Sequence, residues 1–388
     1  MTKKLLGIAF VGAILLFLLA GLGKTLFFPE AVNDYENRYA EQVEPFTLSG
    51  FLSGSFQQSM DGALADQTLF STTCKRLYNG LRSAFRSTLL TPVLERNSYV
   101  YVALTDSVSL FAGDYLVYPA YTLDNIRDSL SATAESHNRM MAAHPDVDFC
   151  FYYIEKDVDV DFVTGRQLGA SDYLRERLEG ANGRFAAFSV PGFSVYRERF
   201  YRTDHHWNYA GSYQGYLELL ALLGVGEAPL EPAETVTVAE FSGSKAAQAA
   251  VTDTEPFTAY RFDFPAMTVT VNGESAADYG RQAEYLNGSA TPVTYGNFYG
   301  GDAGEVILDT GTSGRGDLLV IGESHDNAVL KLLASHYDRT YAIDLRNYAH
   351  YMGREFELDT YLEQHGIDTV LFLGSVGFYT SETFRLEG

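Results

Sequence analysis

The chain has 388 residues, with 50 acidic against 28 basic side chains and a formal net charge of −22. A surface so acidic repels nucleic acid and anionic lipid headgroups, so neither is an expected partner. The only cysteines are Cys74 and Cys150, which excludes a disulfide framework, and the chain is long enough to bury a full core without one.

Lys3 and Lys4 precede residues 5–23, nineteen positions without a charge. About 20 apolar residues cross a bilayer as a helix, whereas a cleaved signal peptide has an apolar run of about 7–15 and an A-x-A-like site. Gly21-Leu22-Gly23 imitates such a site poorly. Residues 1–24 are therefore expected to be an uncleaved signal anchor, with the lysines cytoplasmic and the remainder exported. Residues 25–97 read as a stalk containing Pro29 and Pro45, to about residue 45, and then a helical pre-domain with a helix over 72–89.

Residues 98–224 alternate between strand and helix patterns. Runs at 99–103 and 108–111 predict a hairpin. Ile126, Leu130, Ala134, His137 and Met141 keep the three-to-four spacing of an amphipathic helix opened by Asp124 or Asn125. Residues 147–154 read as a buried strand, which makes Cys150 a buried thiol rather than half of a bridge. A helix over 209–223 is capped by Asn208 and ended by Gly224. Residues 225–290 are rich in Ala, Thr, Gly and acidic residues, and read as an inserted, mainly β lobe with a strand-like run at 267–271. Alternation resumes in 291–388 from Val306, through 341–343 and 369–373. The pattern predicts an α/β fold, a parallel sheet flanked by helices. Most of the 27 tyrosines and 26 phenylalanines belong to its core.

The residues with chemistry stand in two places. Tyr201-Arg202-Thr203-Asp204-His205-His206-Trp207-Asn208 packs an acid, two imidazoles and the single tryptophan into four consecutive positions. In an extended backbone Asp204 and His206 share one face and His205 points away. An acid and a base on one face lack only a nucleophile. Ser324 stands 118 residues after His206. The run 318–321 reads as a buried parallel strand, Gly322 breaks it, and a helix is expected over 327–337. Ser324 then lies at a strand-to-helix turn, at the carboxyl edge of the sheet, where helix N-terminal amides face a bound anion.

Asp204-His205-His206-Trp207 resembles the signature of the DHHW proteins, and behind them the chain is similar to the SGNH-hydrolase-like proteins of alginate and exopolysaccharide O-acetylation. The resemblance extends to Glu36-Asn37-Arg38, residues 295–301 and Ile343-Asp344-Leu345-Arg346. It implies an SGNH-hydrolase-like fold with a circularly permuted motif order, the acid and base preceding the serine. It implies a Ser324–His206–Asp204 mechanism for acetyl transfer or acetyl-ester cleavage on a polysaccharide, without a cofactor, beside a membrane-bound O-acyltransferase partner. It places Arg346 near the nucleophile, where the residues themselves equally allow a surface salt bridge. Asn297, Gly300 and Gly301 become candidate oxyanion donors, although a tight turn explains the glycines as well. His205 and Trp207 are expected to be structural. Where the family usually has Asp before the serine, this chain has Glu323.

Two further readings use the same residues. Asp204, His205, His206, His325 and Asp326 offer ligands for zinc or manganese, giving a metal-assisted phosphoesterase or other hydrolase, opposed by the opposite facing of neighbouring side chains in a strand. The third reading is a catalytically silent scaffold that binds glycan within an O-acetylation complex.

Overall fold

The computed structural model describes residues 2–33, 38–94, 99–249, 251, 253–289 and 293–386, which fall into two units.

The first comprises residues 1–98 and 244–253. Its helix Thr2–Phe27 exposes the apolar side chains from Leu5 to Leu19 and is long and apolar enough to cross a membrane. After the antiparallel pair β1 (Val32–Asn33) and β2 (Arg38–Tyr39) come helices Leu48–Ser53, Ser55–Gln67 and Ser71–Leu94, the last covering the helix expected over 72–89. The expected stalk is not free chain. Gln67 accepts from the Glu30 N–H (2.8 Å) and donates to the Glu41 carbonyl (2.5 Å), while Lys24 donates to the Gln67 carbonyl (2.9 Å). Cys74 is an exposed free thiol. Glu36 and Asn37, which entered the family resemblance, lie outside the described residues.

The second unit comprises residues 99–243 and 254–388. The expected hairpin appears as β3 (Val102–Ala103) on β4 (Ser109–Phe111), with a third strand, β5 (Tyr115–Val117). The main sheet then takes up β6 (Asp148–Ile154) and β7 (Gly183–Phe188). Among the described residues β8 (Glu234–Phe241) and β9 (Glu255–Arg261) pair only with each other, while β10 (Thr268–Val271), β11 (Glu274–Ala276), β12 (Glu305–Asp309), β13 (Asp317–Gly322), β14 (Arg339–Ile343) and β15 (Thr369–Ser375) return to the main sheet. Its order is β11-β10-β12-β14-β13-β15-β6-β7. From β14 to β7 the pairs are parallel; β12, β10 and β11 extend that core antiparallel.

Two expectations are corrected here. The sheet is mixed rather than wholly parallel. Residues 225–290 are not one inserted lobe: β8 and β9 form a separate two-stranded sheet, whereas β10 hydrogen-bonds to β12 as part of the main one. Composition marked where the helix–strand alternation stopped, but strand partners are set by long-range register.

Alternation along the central strands builds two cores. Phe149, Phe151, Tyr153, Leu319, Ile321, Val370 and Phe372 enter one cluster. Their neighbours Cys150, Tyr152, Ile154, Leu318, Val320, Leu371 and Leu373 enter the other. Strands buried on both faces read as unbroken apolar runs, which is why β6, β13 and β15 were legible. Helix Leu123–Ala143 closes the first cluster with Leu130, Ala134 and Met141, and helix Tyr209–Leu223 closes the second with Tyr216, Leu219, Leu220 and Leu223. The latter has the expected ends: Asn208 accepts from the N–H groups of Ala210 and Gly211, and Gly224 takes φ +71°.

Candidate functional site

The parallel strands end on a common edge, and the chemistry collects there. β13 runs out at Gly322, so Glu323, Ser324 and His325 leave the sheet between the ends of its neighbours β14 and β15. A Cβ at Gly322 would overlap the Asp326 carboxyl, so the turn folds back onto the strand only with glycine there. The segment beyond the serine departs from the expected helix over 327–337. It is a 3₁₀ turn, Asp326–Ala328, and a short helix, Leu330–Ala334. Ser324 stands on a compact turn, with no long helix to aim a dipole at it. The serine is partly exposed, while His325, Asp326 and Asn327 beyond it are buried.

The Asp204–His206 segment is a closed loop rather than a strand. Phe200 and Trp207 pair across its base, and the Tyr201 N–H donates to the His206 carbonyl (3.2 Å). Inside it Asp204 bonds its own backbone: Oδ1 accepts from the His206 N–H (3.0 Å) and contacts His206 Nδ1 (2.6 Å). One carboxylate oxygen therefore fixes both the backbone and the ring of His206, the local turn chemistry for which Asp is suited. Glu255, from β9, holds the loop from outside by accepting from the N–H groups of Arg202 (2.9 Å) and Thr203 (2.6 Å) and from Thr203 Oγ1 (2.7 Å). Gly243 packs so closely that a Cβ there would overlap the Asp204 side chain.

Fold brings the two segments together. His206 Nε2 lies 2.8 Å from Ser324 Oγ, with Nδ1 on Asp204. The arrangement has the nucleophile–base–orienter order: Nδ1–H donates to the carboxylate, leaving Nε2 to accept from the serine hydroxyl. Burial pushes the His206 pKa down from 6.5 to about 4, against the opposing pull of Asp204. The ring is therefore neutral near pH 7 and able to take a proton.

Three residues given no role at the site by the sequence reading complete the setting. The Tyr295 ring stacks on His206 at 3.8 Å and 3°, giving the imidazole a flat apolar wall. Tyr295 lies in a run quoted for the family resemblance, but nothing local in that run shows which ring it covers. Glu255 is the second, 51 residues beyond Asp204. Asn327 is the third. It lines a small cavity with Ser324, Tyr279 donates to its Oδ1, and its buried Nδ2 has no hydrogen-bond partner among the described residues. In the same cavity the Asp302 carboxyl has its pKa raised by burial against the pull of Arg346 and of the Asn327 amide.

The remaining expectations divide. Trp207 is fully buried and its Nε1 donates to the His325 carbonyl (3.1 Å), so it anchors the serine turn as expected. His205 does not point away. Because the chain bends, its ring lies 3.8 Å from that of His206, and one ligand atom from each of Asp204, His205 and His206 falls within 4.8 Å of the others. The geometric objection to a metal there is removed. Arg346 makes a forked bond to Asp344 (2.9 and 2.6 Å) and a further one to Asp302 (3.2 Å), both of which line the Ser324 cavity. Its salt-bridge partners, rather than Arg346 itself, line that cavity. Asn297 is exposed, its N–H capping onto Thr294 Oγ1 (3.1 Å). Gly300 takes φ +115° against the Tyr279 ring, and Gly301 offers its carbonyl to Tyr279 Oη (2.9 Å). These three build the turn that places Tyr279. Glu323 accepts from the Ser375 N–H (2.8 Å), linking the turn to the end of β15.

The family model described as DHHW protein matches residues 165–343, which span both segments. Among solved structures, the chain is similar to a DHHW family protein from Eubacterium siraeum, at 16% identity over 74% of this chain and 98% of that one, with a TM-score of 0.58. Bacillus cereus PatB1 with a sulfonyl adduct aligns at 17% identity over 75% and 100%, with a TM-score of 0.55. The O-acetyltransferase domain of Pseudomonas putida AlgJ aligns at 11% identity over 71% and 93%, with a TM-score of 0.40. No curated protein matches.

Proposed function

With residues 165–343 carrying the DHHW protein family domain, we propose that this chain is a membrane-anchored, extracytoplasmic SGNH-like acyltransferase or esterase acting on O-acetyl groups of a cell-surface or secreted polysaccharide. The observation that carries the reading is the continuous Ser324 Oγ–His206 Nε2–Asp204 chain, 2.8 and 2.6 Å long. The acid and base precede the serine, which in this reading is the permuted SGNH order.

Ser324 Oγ attacks the acetyl carbonyl carbon while His206 Nε2 takes its proton, and Asp204 stabilises the imidazolium. The imidazolium then protonates the departing oxygen, leaving acetyl-Ser324. An incoming hydroxyl, of a sugar or of water, gives its proton to His206 and attacks the acetyl carbon; the bond from that carbon to Ser324 Oγ then breaks, and the imidazolium returns the proton to Oγ. Asn327 Nδ2 is the donor facing the tetrahedral oxyanion in this scheme. No cofactor enters. A membrane-bound O-acyltransferase partner supplies the acetyl group in the transferase form, and the Thr2–Phe27 helix keeps the domain at the bilayer where such a partner works.

The test is acetyl-ester turnover by the full chain in detergent, for wild type, Ser324→Ala and His206→Ala, with and without chelator. Both variants are expected to lose about 10⁴-fold or more, with chelator having no effect. A fluorosulfonyl probe should label wild type and not Ser324→Ala. Turnover that survives Ser324→Ala and stops with chelator would move the chemistry to a metal. A wild type that neither turns over nor labels would leave a binding scaffold.

A further inference from the structure

Within the loop already described, His205 has no part in the acyl-transfer scheme, and neither does the ring of His325. Both rings nevertheless stand against His206, with centroids 3.8 Å (His205) and 4.9 Å (His325) from it and 5.8 Å from each other. His325 is buried, and both its ring nitrogens lack a hydrogen-bond partner among the described residues. Glu323 approaches its Nδ1 at 3.3 Å without the alignment of a hydrogen bond. A buried imidazole whose Nε2 has no hydrogen-bond partner and whose Nδ1 has the 3.3 Å Glu323 contact, beside two more imidazoles and a carboxylate, is a donor set for a borderline-soft ion.

We propose that Asp204, His205 and His206, with His325 behind them, form a site for a divalent transition-metal ion, Zn²⁺ as the probe, whose occupancy switches the serine site off. The ligand atoms of Asp204, His205 and His206 lie within 4.8 Å of one another. Tetrahedral zinc with bonds of about 2.0–2.2 Å needs neighbouring ligands roughly 3.3 Å apart. Side-chain shifts of about an ångström close that difference, and His205, a quarter exposed, is the ligand through which an ion would enter.

Inhibition follows from the bonds that His206 already makes. An ion on Nε2 takes the lone pair that accepts the Ser324 proton. An ion on Nδ1, shared with the Asp204 carboxylate, ends the Nδ1–H bond to that carboxylate and forces the proton onto Nε2, again removing the base. Either way the occupied site has no base, so this ion differs from the catalytic metal weighed above. Oxygen-seeking Mg²⁺ meets Asp204 as the single carboxylate among the proposed ligands and is disfavoured by the imidazoles around it.

The inhibitory half of the proposal rests on the acyl-transfer reading; the binding half does not, and the experiment keeps them apart. Zn²⁺ affinity of the full chain is measured by competition with a chromophoric zinc chelator, alongside ester turnover. Wild type is expected to bind one Zn²⁺, to lose turnover as the site fills and to recover it with chelator, while Mg²⁺ does neither. His205→Ala and His205→Gln are both used, so that a folding defect in one is exposed by the melting temperature of the other. Each should bind Zn²⁺ at least roughly tenfold more weakly and keep metal-free turnover within about twofold of wild type. Unchanged zinc affinity in a normally melting His205 variant would overturn the site. Full turnover with the site occupied would overturn the switch. Stoichiometric, His205-dependent binding in a chain that turns over no ester would uphold the site and refute the acyl-transfer reading instead.

Discussion

Two acid-x-histidine pairs meet at this site. Asp204 and His206 are separated by one residue, and so are Glu323 and His325. Both histidines are buried, and burial lowers both pKa values to about 4. Yet Asp204 meets His206 Nδ1 at 2.6 Å with Nε2 on the serine, whereas Glu323 approaches His325 at 3.3 Å off the hydrogen-bond direction. The difference lies in what each carboxylate does with the backbone. Asp204 turns back onto the N–H of its own histidine. The longer Glu323 reaches across to the Ser375 N–H and braces two strand ends. Burial alone raises its pKa, but the His325 ring, the Lys156 ammonium and that N–H outweigh it and hold the carboxyl well below its usual range. Spacing makes a pair; the direction of the carboxylate decides whether the pair can act as base and orienter.

The sharpest way to break the comparison is to neutralise each acid in turn. Asp204→Asn should lose about 10³–10⁴-fold in turnover, because the amide no longer selects the tautomer that leaves Nε2 free. Glu323→Gln keeps the Ser375 bond and should stay within about tenfold of wild type. Equal losses in the two variants would mean that both pairs serve the base. Asn327→Ala comes next, with an expected loss of about 10²–10³-fold in kcat and little change in KM, the pattern of a donor used only in the transition state. A rise in KM alone would instead make Asn327 a substrate contact.

The smallest effect is on the pH profile. His206 works as a base only when neutral, and its pKa is lowered to about 4. The acid limb of kcat/KM should therefore fall below about pH 5, and not near the 6.5 of a free imidazole. Tyr295→Ala removes the stacked wall and admits water to the ring, so it should move that limb upward. A wild-type limb at 6.5 would show that His206 is not the group that titrates.

How much of this could be read from the residues varied with distance along the chain. Helix Tyr209–Leu223 came out end to end because its cap, Asn208, and its stop, Gly224, are adjacent to it. β6 and β13 announced themselves as apolar runs. Asp204, His206 and Ser324 were legible from residue type and from the family resemblance. The facing of His205 was misread because an extended backbone was assumed where Asp204 closes a loop. The oxyanion candidates Asn297, Gly300 and Gly301 were misplaced because a Gly- and Asn-rich run marks a turn wherever it stands. Asn327 carried no signal beyond lying three residues after the serine.

By itself the sequence determined what depends on neighbours: the apolar N-terminal helix, the amphipathic and capped helices, the buried strands, and the residue types available for catalysis. Those arise from periodicity, capping and side-chain chemistry, which act over a few residues. Only the tertiary structure decided that β10 and β11 join the main sheet, that Tyr295 covers the His206 ring, that Glu255 holds the Asp204 loop, and that Asn327 lines one cavity with Ser324, Tyr279 and Asp302. Each of these is a contact between segments far apart in the chain. Such contacts are selected by the packing of the whole domain, and no short stretch of residues contains the information that sets them.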